Sequence, residues 1–364
     1  THANFENTAV LGDEQQLVGA SISSAALPAT ALVDAAESGN GSTSVSDTAL
    51  CAPDSLDPAR VEGKVVVCQR GSYDRVAKSA EVSRAGGVGM VMVNMTEGSL
   101  DADFHAVPTV HLSHLDAPTV YAYLDAAGAD ATVSFALGNI TGEETPVPQI
   151  AGFSSRGPAA SDESDLLKPD ITAPGVSVLA AVAPPSNHDR DYDLYSGTSM
   201  SAPHVAGLAA LIQGKHPLWT PMQIKSAMMT TAVDLKDADG KPSKDLFAQG
   251  AGHVDARSFL DPGLFVTSDW EEWYGYITGL GLDTGVPALA PNAVNLPSYA
   301  EGHVMTSATM SRTFTAARTG TWRVEVDVPG FTSSANVSRV RAKRVGQETE
   351  VDFTFERTTA PLSE

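Results

Sequence analysis

The residues best equipped for covalent chemistry lie in one run, Gly197-Thr198-Ser199-Met200-Ser201-Ala202-Pro203-His204. From Met200 to Ile212 almost every position is small or apolar, including Val205, Ala206, Leu208, Ala209, Ala210 and Leu211. That pattern predicts a helix apolar on all sides, and therefore central and buried. Pro203 is tolerated because N–H groups of a first helical turn have no intrahelical partners. Gly197 provides for a tight turn ahead of the helix. Ser199 is thereby placed at a helix N-terminus, where free N–H groups and the helix dipole favour negative charge. A serine alkoxide and the oxyanion of a tetrahedral acyl intermediate both need that environment. The position equally suits a plain N-cap, the commonest role of Ser before a helix, and local physics leaves both readings open.

A nucleophilic serine needs a base. His204 follows it on the same helix and, at about 100° per residue, points roughly 140° away, so it cannot take that proton. His216 and His253 sit beside Pro217 and Gly252 in turns, with no orienting carboxylate evident. Asp283-Thr284-Gly285 follows Leu-Gly-Leu rather than an apolar strand and reads as a loop. Asp101, Asp103, His105, His111 and His114 are ligand-type residues. His111 and His114 are three apart in an expected strand and face opposite sides, so this segment reads as a solvated loop. No metal and no cofactor is expected. The loop 186–195, with Asp189, Asp191 and Asp193, would favour basic substrate residues unless it is simply solvated. Sequons at Asn40, Asn94, Asn139 and Asn336 carry meaning only in a glycosylating host.

The elements that position these residues fall into blocks. GKVVVC (63–68) is a β-branched run bounded by Gly and reads as a buried strand. Residues 72–87 read as a helix stopped by Gly86 and Gly87. VGMVMVN (88–94) and VPTVHLS (107–113) are strands, 116–128 a short helix ending at Gly128, and ATVSFAL (131–137) a closing strand. Ahead of this unit, the Ala/Ser/Gly-rich stretch from about 25 to 50 reads as loop, and 138–148 as a linker. IAGFSSRGP (150–158) is expected to be a strand into a turn, and 170–182 a strand, a Pro-Gly turn and a strand. Residues 220–232 form a helix with Thr220 as N-cap, Pro221 first in the helix, and Gln223 completing a capping box. A Trp/Tyr-rich stretch and a Pro-rich linker follow. The alternating segments MSRTFTAAR, TWRVEVDV, RVRAKRV and EVDFTFER are then spaced like strands of a small β-sandwich.

With 364 residues, 42% hydrophobic and 18% charged, the chain has room for two or three domains with buried cores, which excludes wholesale disorder. Its formal charge of -21 argues against nucleic acid or anionic lipid as partner. The one basic cluster, Arg339, Arg341, Lys343 and Arg344, alternates like the wet face of a strand. No apolar run reaches 18 residues, so no membrane span is expected. Neither an initiator Met nor a signal peptide is visible, which suggests a processed product or a missing upstream segment. With two cysteines, Cys51 and Cys68, the chain is not a disulfide-built scaffold.

GTSMSAPHVAG resembles the active-site serine signature of the subtilisin-like serine proteases, with Ser199 at the nucleophile position. FSSRGP (153–158), LKPDITAPGVSVLAA (167–181), YSGTSMSAPHVAGLAALI (195–212) and LFAQGAGHVDARSFLDPGL (246–264) follow in that family's order. Residues 45–137, through CAPDSLDPARVEGKVVVCQRG and AGGVGMVMVN, resemble the protease-associated domain inserted in the pyrolysin-like and plant branch. The tail from about 291 resembles its fibronectin type III-like domain. The resemblance implies an α/β fold: a partial subtilisin-like parallel sheet with buried helices, an inserted α/β domain and a C-terminal β-sandwich. The implied division is 1–24 core segment, 25–140 inserted domain, 141–264 core with the nucleophile, 265–290 linker and 291–364 sandwich.

The implied function is a secreted serine endopeptidase acting on proteins or peptides. Ser199 is the nucleophile and its backbone N–H one oxyanion donor. The family's His-Gly-Thr-His motif and its strand ending in Asp-Thr-Gly or Asp-Ser-Gly do not occur upstream of Ser199, and the asparagine that would supply the side-chain half of the oxyanion hole is expected to be missing too. The chain is therefore expected to begin just after that region and to be inactive alone. The alternative is a non-catalytic binding module built from the inserted domain and the sandwich. A lipase-type hydrolase is disfavoured because Ser201 stands where Gly-x-Ser-x-Gly needs its second Gly. A homodimer through the inserted domain stays open. Cys51 and Cys68 flank the Pro-containing turn 52–60, and related inserted domains carry cysteines at similar places, so a disulfide is expected there.

Overall fold

The structure, a computed structural model, describes residues 5–159, 165–187 and 189–360. These divide into two units. The first holds residues up to 147 with 151–153 and 174–200; the second holds 148–150, 154–173 and everything from 201.

The first unit is built on a closed seven-stranded barrel. Its strands are β1 (Glu6–Leu11), β2 (Gln16–Ala20), β3 (Leu27–Asp34), β4 (Val65–Gln69), β5 (Gly89–Val93), β6 (Thr109–Leu112) and β7 (Thr132–Leu137), in the order β1-β2-β6-β5-β4-β3-β7. The pairs β3·β4, β4·β5 and β5·β6 are parallel and the remainder antiparallel. Parallel neighbours need crossovers, and α3 (Arg75–Arg84) supplies the one from β4 to β5. The short helices α1 (Val45–Ala49) and α2 (Pro58–Val61) precede β4, and α4 (Ala117–Ala127) precedes β7. Alternate residues of β4 enter different cores, as the period of two requires. Val65 and Val67 join Val91, Val93 and the α4 residues Val120 and Tyr123. Val66 and Cys68 join Cys51, Leu56, Val61 and Val82. In that second cluster Cys51 and Cys68 are disulfide-bonded, with Cα atoms 5.6 Å apart.

Two expectations are corrected here. The described residues of the expected core segment 1–24 do not stand apart: β1 pairs with β2 and β7, and β2 with β6, so these strands close the barrel. Closure removes both open edges that a sheet starting at β3 would leave. Residues 25–50 are not all loop, since they contain β3 and α1. β3 has no clean alternation of its own and is held by β4 on one side and β7 on the other. The unit is completed by the antiparallel pair β8 (Val178–Ala181) and β9 (Tyr192–Tyr195).

In the second unit, α5 (Thr198–Lys215, from Ser201 onward) and α6 (Pro221–Thr230) pack around Ile212, Ile224, Met228, Val254 and Phe259. The Thr220–Gln223 capping box and Pro221 stand where the sequence put them. After the single turn α7 (Leu246–Gln249), the chain enters an antiparallel sheet ordered β10-β11-β15-β13. Its strands are β10 (Leu264–Val266), β11 (Ser307–Ala316), β13 (Phe331–Ala335) and β15 (Glu348–Arg357). A second sheet pairs β12 (Gly320–Arg323) with β14 (Arg339–Ala342). Met310, Val351 and Phe353 from one sheet share a core with Val340 and Trp322 from the other. In β14, Arg339 and Arg341 are exposed while Val340 and Ala342 are buried, so the basic cluster is indeed a wet face.

The expected linker 265–290 contains the helix α8 (Trp270–Gly279). Its start is fixed by a capping box in which Asp269 Oδ1 accepts from Glu272 N and Glu272 Oε2 accepts from Asp269 N. Residues 150–158 form no strand. Gly152 and Phe153 form a turn, and Gly157 N donates to Phe247 O. The expected parallel sheet in 141–264 reduces, among the described residues, to one isolated parallel bridge between Thr172 and His253. The parallel content of this α/β chain lies in the barrel. Nor is α5 buried all round. Ile212 is fully buried and Val205, Leu208 and Ala209 pack beside it, but Ala202, Pro203, Ala206, Gly207, Ala210 and Leu211 are exposed. Only one face has neighbours among the described residues.

Candidate active site

Ser199 is the second residue of α5, inside its first turn rather than at the N-cap, and it is exposed. The turn before it is tied down within the first unit. Gly197 N donates to Gly175 O at 2.7 Å, and Met200 N to Gly197 O at 3.0 Å. Ser177 N donates to Ser196 Oγ at 2.9 Å, while Ala102 N donates to Ser177 Oγ at 2.9 Å. A barrel loop is thereby linked to the segment that delivers the serine. The turn does not itself require glycine at 197. A Cβ there would meet Met200 Sδ at 3.5 Å, an ordinary contact.

Beneath that turn lies a charged network. Asp101 is 1% exposed. Its Oδ2 accepts from Ser99 Oγ at 2.9 Å, pairs with Arg75 Nη1 at 3.3 Å, and accepts from Arg70 Nη2 at 3.4 Å. The Ser196 hydroxyl lies near enough to this carboxylate to favour its charged form. Burial works to raise the Asp101 pKa, but the Arg75 charge and the hydroxyls of Ser196 and Ser99 outweigh it and hold the acid below its usual range. Arg75 also forks onto Asp103, Nε to Oδ2 at 2.6 Å and Nη2 to Oδ1 at 3.0 Å.

His111 is fully buried. Its Nδ1 accepts from Asp101 N at 3.1 Å, so Nε2 carries the proton and donates to Asn94 Oδ1 at 2.7 Å. Burial lowers its pKa and keeps the ring neutral. Burial likewise pushes His105 down to about 4, with Nδ1 3.0 Å from Ser79 Oγ. Residues 101–111 are therefore no solvated loop. Arg70 and Arg75, about thirty positions earlier, neutralise the acids, which is what allows them to be buried. Among the described residues no group of three His, Cys, Asp or Glu is placed to hold a metal ion.

A cavity of about 890 Å³ opens beside Ser199. Its walls include Arg70, Tyr73 and Asn94 from the barrel, Arg190 and Tyr195 from the β8–β9 hairpin and its connection, and Met200 of α5. Of the two readings of the loop 186–195, the solvated one fits Asp189 and Asp191, which are exposed. Asp189 and Asp191 are not on the wall, and Asp193 is buried and paired with Arg190 at 2.7 Å. Sequence reasoning missed Arg70, Arg75 and Arg190. One signal was available: Arg70 and Asn94 directly follow the parallel strands β4 and β5, and ligand crevices form at the carboxyl ends of parallel strands.

The other histidines serve locally. His216 stacks on Trp219 at 3.8 Å, and His253 Nδ1 bonds Val254 O. Asp283 accepts from Gly285 N in a turn. Among the described residues no helix is long and apolar enough to cross a membrane.

The subtilase family model matches residues 37–252 of the chain. Subtilisin-like protease SBT1.4 of Arabidopsis thaliana is 40% identical over 253 residues, 64% of this chain and 32% of that protein. SBT5.3 of the same plant is 33% identical over 384 positions, 94% of this chain and 49% of its own length. SBT1.7 is 37% identical over 296 residues, 76% of this chain and 38% of that protein. The chain thus spans a third to a half of the length of these relatives. By a family match that covers more than half of its residues, serine turn included, the chain belongs to the subtilase family.

Proposed function

We propose that the chain is the nucleophile-bearing part of a secreted serine endopeptidase. The observation that carries this reading is Ser199, exposed in the first turn of α5 on the wall of a cavity large enough for peptide. Ser199 Oγ attacks the scissile carbonyl carbon while its proton passes to a histidine base. The oxyanion is stabilised in part by the Ser199 N–H. The C–N bond then breaks, the amine leaves with that proton, and water hydrolyses the acyl-serine. The base, its aspartate and the asparagine donor would come from residues outside these 364. Residues 25–140, with β1 and β2 closing their barrel, are read as the protease-associated domain, and 291–364 as the fibronectin type III-like domain. The Cys51–Cys68 bridge suits an oxidising, secreted setting.

A fluorophosphonate probe on the full-length protein tests this. Labelling and peptide cleavage should both vanish in Ser199→Ala with the unfolding transition nearly unchanged; surviving labelling excludes Ser199. The 364-residue chain alone should not label, because loss of the base in such triads costs on the order of 10⁶ in turnover.

A further inference from the structure

We propose that the cavity at the carboxyl ends of β4 and β5 is a substrate subsite, in which Arg70 receives an Asp or Glu side chain flanking the scissile bond. The proposal rests on the peptidase reading of Ser199. The first argument is position. Arg70 and Asn94 stand one residue beyond neighbouring parallel strands and line the same cavity as Ser199. A side chain a few residues from a carbonyl held at Ser199 therefore has this wall within reach.

The second argument is the charge balance of the wall. Its cations are Arg70, Arg75 and Arg190, and its acids Asp74, Asp103 and Asp193. Arg75 is committed twice, to Asp103 through a fork and to Asp101. Arg190 is committed to Asp193 and lies over the Phe104 ring. Asp74 lies close enough to Arg75 to support its charge. Arg70 is different. Its one polar contact among the described residues is the long 3.4 Å approach to Asp101, a carboxylate already shared with Arg75, Ser99 and Ser196. Of the five N–H donors of a guanidinium, four are left without a protein acceptor, and the side chain is 32% exposed.

The third argument is that the Arg70 charge is felt by its neighbours. After burial itself, it is what lowers the Lys78 pKa to about 8, and it adds to the depression at His111. A planar donor fork with unused N–H groups, beside a cavity of about 890 Å³, matches the two acceptor oxygens of a carboxylate.

The test uses peptide pairs that differ only as Glu or Gln, with the position scanned along both sides of the scissile bond. In the full-length enzyme one position should favour Glu in kcat/KM by about tenfold, the scale of a hydrogen bond to a charged group. That ratio should fall to about one in Arg70→Gln, persist in Arg70→Lys, and turn toward Lys-bearing peptides in Arg70→Glu. A Glu preference absent from every position, or undiminished in Arg70→Gln, overturns the proposal. Fluorescence anisotropy of the same peptides on the Ser199→Ala form of the 364-residue chain separates the two readings. Arg70-dependent binding of the Glu peptide, with no cleavage by the full-length protein, keeps the subsite and sinks the peptidase. Equal binding of Glu and Gln peptides, or none, sinks the subsite.

Discussion

Replacing Asp101 by Asn probes the contact between the barrel and the serine turn. Asp101 is 1% exposed, and its charge is met by Arg75 at 3.3 Å and Arg70 at 3.4 Å, with hydroxyls from Ser99 and Ser196. Removing one partner of a buried ion pair typically costs about 3–5 kcal/mol, because the other is left uncompensated. Here Arg75 keeps its fork on Asp103, and Arg70 is solvated enough to do without. Asn also preserves an acceptor for Ser99. The loss should therefore sit at the bottom of that range, about 3 kcal/mol, or about two powers of ten in the exchange rates of the slowest β4–β6 amides. Asp103→Asn is the control, since Asp103 shares Arg75 while it is Asp101 whose charge the Ser196 hydroxyl supports. Both variants should speed amide exchange, but Asp101→Asn should slow fluorophosphonate labelling of Ser199 in the full-length protein far more. The acid limb gives a further check on sign. The Asp101 pKa is depressed, so its contribution is present above the unfolded value of 3.8 and is lost as pH falls through the lower folded value. Asp101→Asn should flatten that limb. Exchange accelerated by less than about fivefold, or equal slowing of labelling in the two variants, would refute the reasoning.

Two further outcomes follow from buried groups of the barrel. His105 is held neutral by burial with a pKa of about 4 against 6.5 unfolded, so the unfolded chain takes up a proton first as pH drops. Stability should fall by about 3 kcal/mol between pH 6.5 and 4, and denaturant midpoints across that window should show a shallower slope in His105→Gln. Paired Cys51→Ser and Cys68→Ser changes open a loop with a sequence separation of 17 and should cost on the order of 3 kcal/mol in unfolding free energy. Iodoacetamide on unreduced, denatured wild-type protein should modify neither cysteine, and two modified thiols would contradict the bridge.

What was legible in the sequence was local. GKVVVC and VGMVMVN are strands because continuous β-branched and apolar runs can only be satisfied in a sheet covered on both faces. The Thr220 cap was legible because its partner is three residues away. What was not legible depended on partners far along the chain. β3 exists through β4 and β7, and β1 finds β7 more than 120 residues later. Asp101 and Asp103 looked like solvent-facing acids until Arg70 and Arg75, 31 and 28 positions away, were brought onto them. The α8 capping box, Asp269 with Glu272, was in plain view but stood in a stretch whose Trp and Pro content suggested a linker. Ser199 was singled out by its motif, whereas the cavity wall beside it was hidden by the same long-range pairing.

α5 shows the reverse relation, where the sequence describes an environment larger than these residues supply. Surface helices carry a polar face. Between Ser199 and Gln213 the uncovered face of α5 has none: it runs through Ala202, Pro203, Ala206, Gly207, Ala210 and Leu211, the last 56% exposed. A Cβ added at Gly207 or Gly214 would meet nothing within 4 Å. Small residues on an exposed helix face contribute little burial and, for glycine, cost about 1 kcal/mol of helix stability relative to alanine. They make physical sense where another backbone approaches closely, the use for which glycine is suited. β8 repeats the pattern within the first unit, with Leu179 exposed on a strand that has one hydrogen-bonded neighbour. Both surfaces have the composition of a packed interface rather than of a solvated one, and the chain spans a third to a half of the length of the relatives it matches.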